Sequence, residues 1–593
     1  MSFSTSPGYR PGHFWLEERH SSNFIYSRRL GTLEQRFDIG SRSSGQSDTF
    51  VKLRLHLSST GEGDSLDRTG CLSRLLLAWT RLRAKHPLLA ATIHEDEGSS
   101  MPGCPARRFE YRPPSTPDEA VRLAQQSMLL ARGEKLDDRI REIQRKYVLN
   151  GERVLLEETG CLARLILVEG ESERNEMGFF LVISHVISDG LSVLSLVNEL
   201  FATASSSQFL SPSGAPTILD FDSFVGGSRG VEPWSLSPEL HKSWKTTLSR
   251  DEVVASLPLA TEDHLPPLPL ESTTSTALIQ PTEAPTDLHG AEKILHSPTT
   301  TARKRWCWAI SRTIILARQR RTPHTLPFPR LENASPPPKI NTDWQFIRFD
   351  RTTTEKLIQF CKLNGQSPSM LLYSMIALAT SNLFSSVHPS NPYHPILIGF
   401  PFSARPLLEK STHPSSDPSS DLAIRLTFTS IALPNFPLSL EKANSARVQT
   451  AILRGARLAK SQLSERLAND KVNRTISLHG VDGINTDRLL LRYEQPRPPW
   501  EDPKTCINGS MIGDIDRILQ RGFSFSSNGF DLRLSDLEIG TRLHTGEGMF
   551  YEGFTFEGCL QLSGGYDKQL IDSRHFWSIL NGVKEIGQLI AGE

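Results

Sequence analysis

The apolar positions of this chain follow two periods, one of two residues and one of about 3.6, and the two take turns along the sequence. Val51, Leu53, Leu55 and Leu57 alternate with polar neighbours, which predicts a half-buried strand over 50–57. Between 65 and 85, Leu72, Leu75, Leu76, Trp79 and Leu82 fall on one helical face. His86–Pro87 closes that helix, because a residue before proline is pushed out of the α region. A strand is expected over 88–94, a helix over 118–132 on the stripe Val121, Ala124, Met128 and Ala131, and a strand over 161–168. Residues 14–29 read as irregular, with a short lead-in at 30–37.

The run Phe179–Ile183 is apolar without a break, the mark of a strand buried on both faces. It is expected to pair with 161–168 as a hairpin across the polar turn 169–175. Directly after it the period changes: Leu191, Leu194, Val197, Leu200 and Phe201 predict a helix ending near Ala204. The second half predicts strands over 344–349, 395–402, 424–433, 523–534 and 554–562, with helices over 352–363, 367–383, 438–468 and 568–589. Between the halves, 205 to about 300 is rich in Pro, Ser and Thr with poor periodicity, and a second proline run covers 323–338. Three parts follow: 1–204, a partly disordered crossover over 205–343, and 344–593.

Composition narrows the functional classes. At 593 residues the chain is too long for one ordinary core. Lys+Arg and Asp+Glu are both 66, so no charge excess argues for nucleic acid or an anionic membrane surface. No run approaches the roughly 20 apolar residues of a membrane span, and Met1–Pro11 lacks a signal-peptide core, so the expected location is cytoplasmic. Seven scattered cysteines without a CxxC pair read as reduced core residues. Phosphate-binding glycine loops, HExxH and GxSxG are all absent. Gly61–Leu66 looks a little like a carrier-protein attachment site but reads as a helix start. The basic stretch 303–321, with interleaved Trp306 and Trp308, reads as a solvated amphipathic helix, with binding of a donor's phosphates as the alternative.

The candidate chemistry lies where the buried strand meets its helix. His185 ends the strand, and Asp189 and Gly190 open the helix. A neutral imidazole there can take a proton from a hydroxyl, thiol or amine near neutral pH. Asp189 can hold the turn or pair with a distant cation, and a metal reading lacks a third ligand.

His185-Val186-Ile187-Ser188-Asp189-Gly190, an HxxxDG string at the end of a buried strand, resembles the active-site motif of the CoA-dependent acyltransferase superfamily. That superfamily includes chloramphenicol acetyltransferase, peptide condensation domains, plant-type acyltransferases, and fungal alcohol or trichothecene O-acetyltransferases. The helix followed by His86-Pro87-Leu88-Leu89 and a strand resembles the opening of its condensation-like members, with His86 structural. The resemblance covers about 14–204 and 344–590. It implies an α/β (α+β) fold of two chloramphenicol-acetyltransferase-like lobes, each a mixed sheet with flanking helices, and an active-site channel between them.

In such a fold His185 and Asp189 are the catalytic motif residues, with His185 the general base. Asp189 pairs with an arginine of the second lobe, matched here by Arg405 in Ser403-Ala404-Arg405-Pro406; Gly190 and Arg405 are structural parts of the site. Ser526 and Asn528 resemble a Ser-Asn-Gly of alcohol-acetyltransferase relatives, which implies oxyanion or substrate contacts. Ser184 stands where many condensation domains carry a second His. The nearest string to the plant-type Asp-Phe-Gly-Trp-Gly is Asn528-Gly529-Phe530-Asp531. Both departures tilt the resemblance toward the stand-alone fungal enzymes of mycotoxin-type secondary metabolism. The implied protein is a monomeric O-acetyltransferase with no bound cofactor or metal. Acetyl-CoA is its co-substrate and the hydroxyl of a small secondary metabolite, trichothecene- or alcohol-type, its acceptor. The alternatives are a carrier-protein-dependent condensation enzyme and a non-catalytic member that binds a metabolite or protein.

Overall fold

Strand pairing, rather than the order of the chain, decides how this fold is divided. The structure is a computed structural model, and it describes residues 15–20, 23–59, 68–101, 104–155, 161–206, 216–227, 249–264, 341–387, 395–410, 415–436, 444–466, 507–525, 530–543 and 549–592, with residues 230, 232, 234, 306, 310, 331 and 438 between them. In chain order the strands are β1 (Leu16–His20), β2 (Asn23–Arg29), β3 (Asp48–Ser59), β4 (Thr92–Met101), β5 (Cys104–Tyr111), β6 (Met128–Gly133), β7 (Ala163–Gly170), β8 (Glu176–Ser184) and β9 (Leu219–Asp220). They continue as β10 (Thr342–Arg348), β11 (Ile396–Ser403), β12 (Leu426–Leu433), β13 (Ile507–Asp514), β14 (Gly522–Phe525), β15 (Phe530–Thr541), β16 (Met549–Phe556) and β17 (Cys559–Asp567). Three sheets result, ordered β1-β2-β5-β4, β14-β15-β3-β8-β7-β6-β9 and β10-β17-β16-β13-β11-β12.

β8 lies in the interior of the seven-stranded sheet, antiparallel to β3 (Asp48↔Ser184) and to β7 (Ala163↔Ile183). Its unbroken apolar run has a use on each face. Phe179, Leu181 and Ile183 enter the core of the helices Arg68–Lys85 and Gly190–Ser205. Phe180 and Val182 enter a second core with Ile140 and Ile143 of the segment around Leu136–Ile143. The six-stranded sheet rests its outer face on the helices Pro368–Val387, Ser445–Arg466 and Ser573–Ala591.

Several expected elements are corrected. The helix expected over 118–132 stops at Gln125, and Met128–Gly133 is strand β6, parallel to β7. Leu129 and Ala131 pack on one side of the sheet and Met128 and Leu130 on the other, so a fully buried strand carried what looked like helical stripe. Pro87–Ala90 is a short 3-10 turn, and the following strand begins only at Thr92. The irregular 14–29 segment holds β1 and β2, whose polar residues hide the pairing. The strand expected at 523–534 is the β14–β15 hairpin, and 554–562 spans the β16–β17 hairpin. The latter turns on Glu557 and Gly558, with φ of 54° and 70°, as a two-residue type I′ turn requires.

Strand pairing runs across the expected division into 1–204, 205–343 and 344–593. β14 and β15 come from the second half but extend the first sheet, β15 pairing with β3 from Phe530↔Ser59 to Thr541↔Thr49. Within the crossover, β9 pairs with β6, and Leu257, Leu259 and Ala260 are buried. Gly61–Leu66 lies outside the described residues, as does 303–321 apart from Trp306 and Ile310. Among the described residues no helix is long and apolar enough to cross a membrane, and no group of His, Cys, Asp and Glu could hold a metal ion.

Candidate active site

β8 delivers the chain to a closed turn. The Ile187 amide and the Ser188 hydroxyl both donate to the Ser184 carbonyl, at 3.2 and 3.0 Å. His185, half-buried, sits on this turn with Nδ1 2.7 Å from the Ser188 carbonyl. A carbonyl only accepts, so Nδ1 carries the hydrogen and Nε2 is the basic nitrogen of the neutral ring. Phe37, on the helix Thr32–Ser44, stacks on the imidazole with ring centroids 4.2 Å apart and an interplanar angle of 21°. Phe37 in turn lies 6.2 Å from Phe428 on β12, so His185 stands at the seam of the two large sheets.

Asp189 is the N-cap of the helix Gly190–Ser205, its Oδ1 accepting from the Ser192 amide at 2.8 Å. Its Oδ2 faces the second lobe, accepting from Arg405 Nη2 at 2.9 Å and from the Arg425 amide at 3.1 Å. The carboxylate is buried, and the Arg405 side chain is only 10% exposed. Arg405 also donates to the carbonyls of Pro418 (2.9 Å) and Ala423 (3.0 Å) and to Asp421 Oδ1 (3.2 Å). Gly190 is the first residue of the helix; a Cβ there would meet nothing within 4 Å, so steric room does not demand glycine. Ser526 and Asn528 lie outside the described residues.

Sequence reasoning missed the second half of this network. Asp421 Oδ2 pairs with Arg425 Nη2 at 2.5 Å and accepts from the Ser416 hydroxyl at 3.0 Å. Burial pushes the Asp421 carboxyl up, but Arg425 and then Arg405 outweigh it and hold it below the usual aspartate value. The available signal was Arg425 inside the apolar run 422–426, since a buried guanidinium needs a carboxylate close by. Residues 257–264 of the crossover complete the assembly. Arg425 Nη1 donates to Thr261 Oγ1 at 3.3 Å, and the Thr261 hydroxyl donates to the Ile424 carbonyl at 2.6 Å. His264 Nδ1 meets the Glu409 carbonyl at 3.0 Å, with burial and then Arg425 pushing the imidazole pKa down. On the first-lobe side, the Pro258 carbonyl accepts from Trp15 Nε1 (2.8 Å) and Arg28 Nε (3.0 Å). This strap touches both lobes beside Asp189.

His86 is engaged elsewhere. Its Nε2 lies 3.0 Å from Glu199, which also pairs with Lys85, so the end of the helix Arg68–Lys85 is clamped to the helix Gly190–Ser205. Burial raises the Glu199 carboxyl, but His86 and Lys85 outweigh it and bring it to about 2.

No family model matches this chain, and no curated protein matches it. Solved structures do. The TRI3 trichothecene 15-O-acetyltransferase from Fusarium sporotrichioides superposes with a TM-score of 0.68 at 13% identity, over 99% of this chain and 100% of that chain. The epimerization domain from the third module of tyrocidine synthetase B gives 0.51 at 11% identity, over 98% and 99%. The condensation domain from the Monacolin K polyketide synthase MokA gives 0.50 at 10%, over 95% and 97%. At these identities the likeness is one of fold.

Proposed function

From a chain that has the two-lobed fold of the condensation-domain-like, CoA-dependent acyltransferase superfamily, we propose that this protein transfers an acyl group from a thioester to a hydroxyl, with His185 as general base. The observation that carries the proposal is the orientation of His185: Nδ1 is committed to the Ser188 carbonyl, which leaves Nε2 as the base at the seam of two lobes that Asp189 and Arg405 join. In the reaction, the acceptor O–H gives its proton to Nε2 as its oxygen forms the new C–O bond at the thioester carbonyl. The tetrahedral intermediate then collapses, the C–S bond breaks, and the proton on Nε2 passes to the departing thiolate. The stacked Phe37 restrains the ring during this cycle and supplies an apolar neighbour to the reacting atoms.

The donor in this proposal is acetyl-CoA, with no bound cofactor, and the acceptor is a hydroxyl of a small secondary metabolite. The full-length likeness to a trichothecene 15-O-acetyltransferase supports that choice. The likeness to a condensation domain supports a second reading, transfer from a carrier-bound donor. Purified protein incubated with acetyl-CoA and a panel of terpenoid alcohols should release free thiol, and His185→Ala should abolish the alcohol-dependent part. Release only from an acyl-carrier donor favours condensation. No transfer from either donor, with ligand binding intact, defeats both readings.

A further inference from the structure

The six-stranded sheet turns one face to its own helices and the other to the first lobe. On the helix face lie Ile398, Ile507, Tyr551 and Leu562. On the other face, Phe550 packs with the core of Phe50 and Trp344, and Phe554 belongs to the core of Leu532 and Leu534. Glu552 lies between these two phenylalanines on the same face, because side chains two apart along a strand point the same way. It is 6% exposed, and its Oε2 has no hydrogen-bond partner among the described residues.

Its neighbours across the sheet are small and polar. Directly paired residues share a face, and Glu552 pairs with Ser563 on β17 and Ser510 on β13. The row runs on toward His185. The parallel register Gly399↔Asn508, carried two residues further, sets Pro401 beside Ser510, and Pro401 pairs with Phe428. Phe428 neighbours Phe37, which stacks on the imidazole. Three strand spacings place Glu552 about 14 Å from Phe428 along the wall between the lobes.

A buried carboxyl oxygen without a partner is costly to the fold, and it is out of keeping with Asp189 and Asp421, each of which has an arginine. Such a cost is typical of a group kept for a ligand. We propose that Glu552, flanked by Ser510 and Ser563, is a specificity-determining hydrogen-bond donor to an uncharged oxygen of the bound substrate. That oxygen is a hydroxyl or carbonyl of the acceptor, or an amide carbonyl of the donor's pantetheine arm. The inference rests on the acyl-transfer reading of the site. Burial pushes the carboxyl up to about 8, so near neutral pH it is mostly protonated and can donate. The phenylalanines on either side suit an apolar, oxygenated molecule and disfavour a charged one.

The test compares wild type, Glu552→Gln and Glu552→Leu by thermal melting and calorimetric binding. The probes are a sesquiterpene diol, its mono-deoxy analogue, an amino analogue, and acetyl-CoA. Without ligand, Glu552→Leu should melt above wild type, since the unpaired carboxyl is gone. Wild type should prefer one oxygenated probe by about tenfold or more, Glu552→Leu should lose that preference, and Glu552→Gln, which still donates, should keep most of it. Loss confined to the diol places the oxygen on the acceptor; loss confined to acetyl-CoA places it on the donor. A Glu552→Leu protein that melts lower and binds all probes as wild type does makes Glu552 structural and overturns the inference. Tightest binding of the amino analogue, abolished in Glu552→Gln, also overturns it by making the ligand a cation. Failure of wild type to transfer acetyl groups, with the binding differences intact, defeats the proposed reaction while leaving this inference standing.

Discussion

Asp189 has three partners at once: it caps the helix Gly190–Ser205, pairs with Arg405, and accepts the Arg425 amide. None of these can be replaced by solvent, because the carboxylate is buried. Arg405→Ala should therefore destabilise the protein by about 3–5 kcal/mol, the usual cost of an uncompensated buried charge. Asp189→Asn should cost a comparable amount, and the double mutant much less than the sum, in denaturant unfolding. Effects that add to within roughly 0.5 kcal/mol would show the two residues to be independent. His185→Ala should instead leave the unfolding midpoint nearly unchanged and lower turnover by about 10²-fold or more. Activity near wild type on every active substrate would remove His185 from the mechanism. At this scale the sequence was informative where partners are close in the chain: His185, Asp189 and Gly190 lie within one turn. Arg425 left a signal only for its near partner Asp421; that its amide meets Asp189 across 236 positions was not legible, and Arg405, as remote, was reached through the family resemblance alone.

Elements are joined by side chains that the periodicity of either element does not reveal. Glu199 clamps the helix Gly190–Ser205 to the end of the helix Arg68–Lys85 through His86 and Lys85. Its folded pKa is depressed from 4.5 to about 2, so this clamp contributes fully above about 4.5 and is lost as pH falls through about 2. Glu199→Gln should flatten the loss of stability across that acid window, read from melting curves at successive pH values; an unchanged acid limb would mean the clamp is idle. The strap at 257–264 makes a second joint. Leu257 is 1% exposed within the first-lobe core, while Thr261 holds Ile424 and Arg425. Leu257→Ala should cost about 2–5 kcal/mol as a core cavity. A change below about 0.5 kcal/mol in urea unfolding would make this segment a passive connection rather than a joint.

For the whole molecule, the consequence of β14 and β15 is that neither half of the chain is a self-sufficient domain. Without them β3 becomes an open edge, and Leu53, Leu55 and Leu57 lose their neighbours Leu532 and Leu534 in the shared core. Residues 1–340 expressed alone should aggregate, and co-expression with 341–593 should recover soluble complex. A soluble, cooperatively unfolding 1–340 fragment would contradict this.

The sequence by itself determined the local patterns: a doubly buried strand ending in His185, the amphipathic helices around it, and Asp189 as a helix opener. These depend on residues that are near neighbours, so period and capping chemistry are enough to specify them. It did not determine β6 against helix, the two late hairpins, or β1 and β2, because a short strand is stabilised mainly by its partner and that partner is remote. Which sheet β15 would join, that part of a Pro-rich crossover would be buried, and that Glu552 would face the first lobe with its Oε2 unpartnered among the described residues were decided by packing alone. Pairing register fixes which side chains meet, and register is a property of two distant segments together.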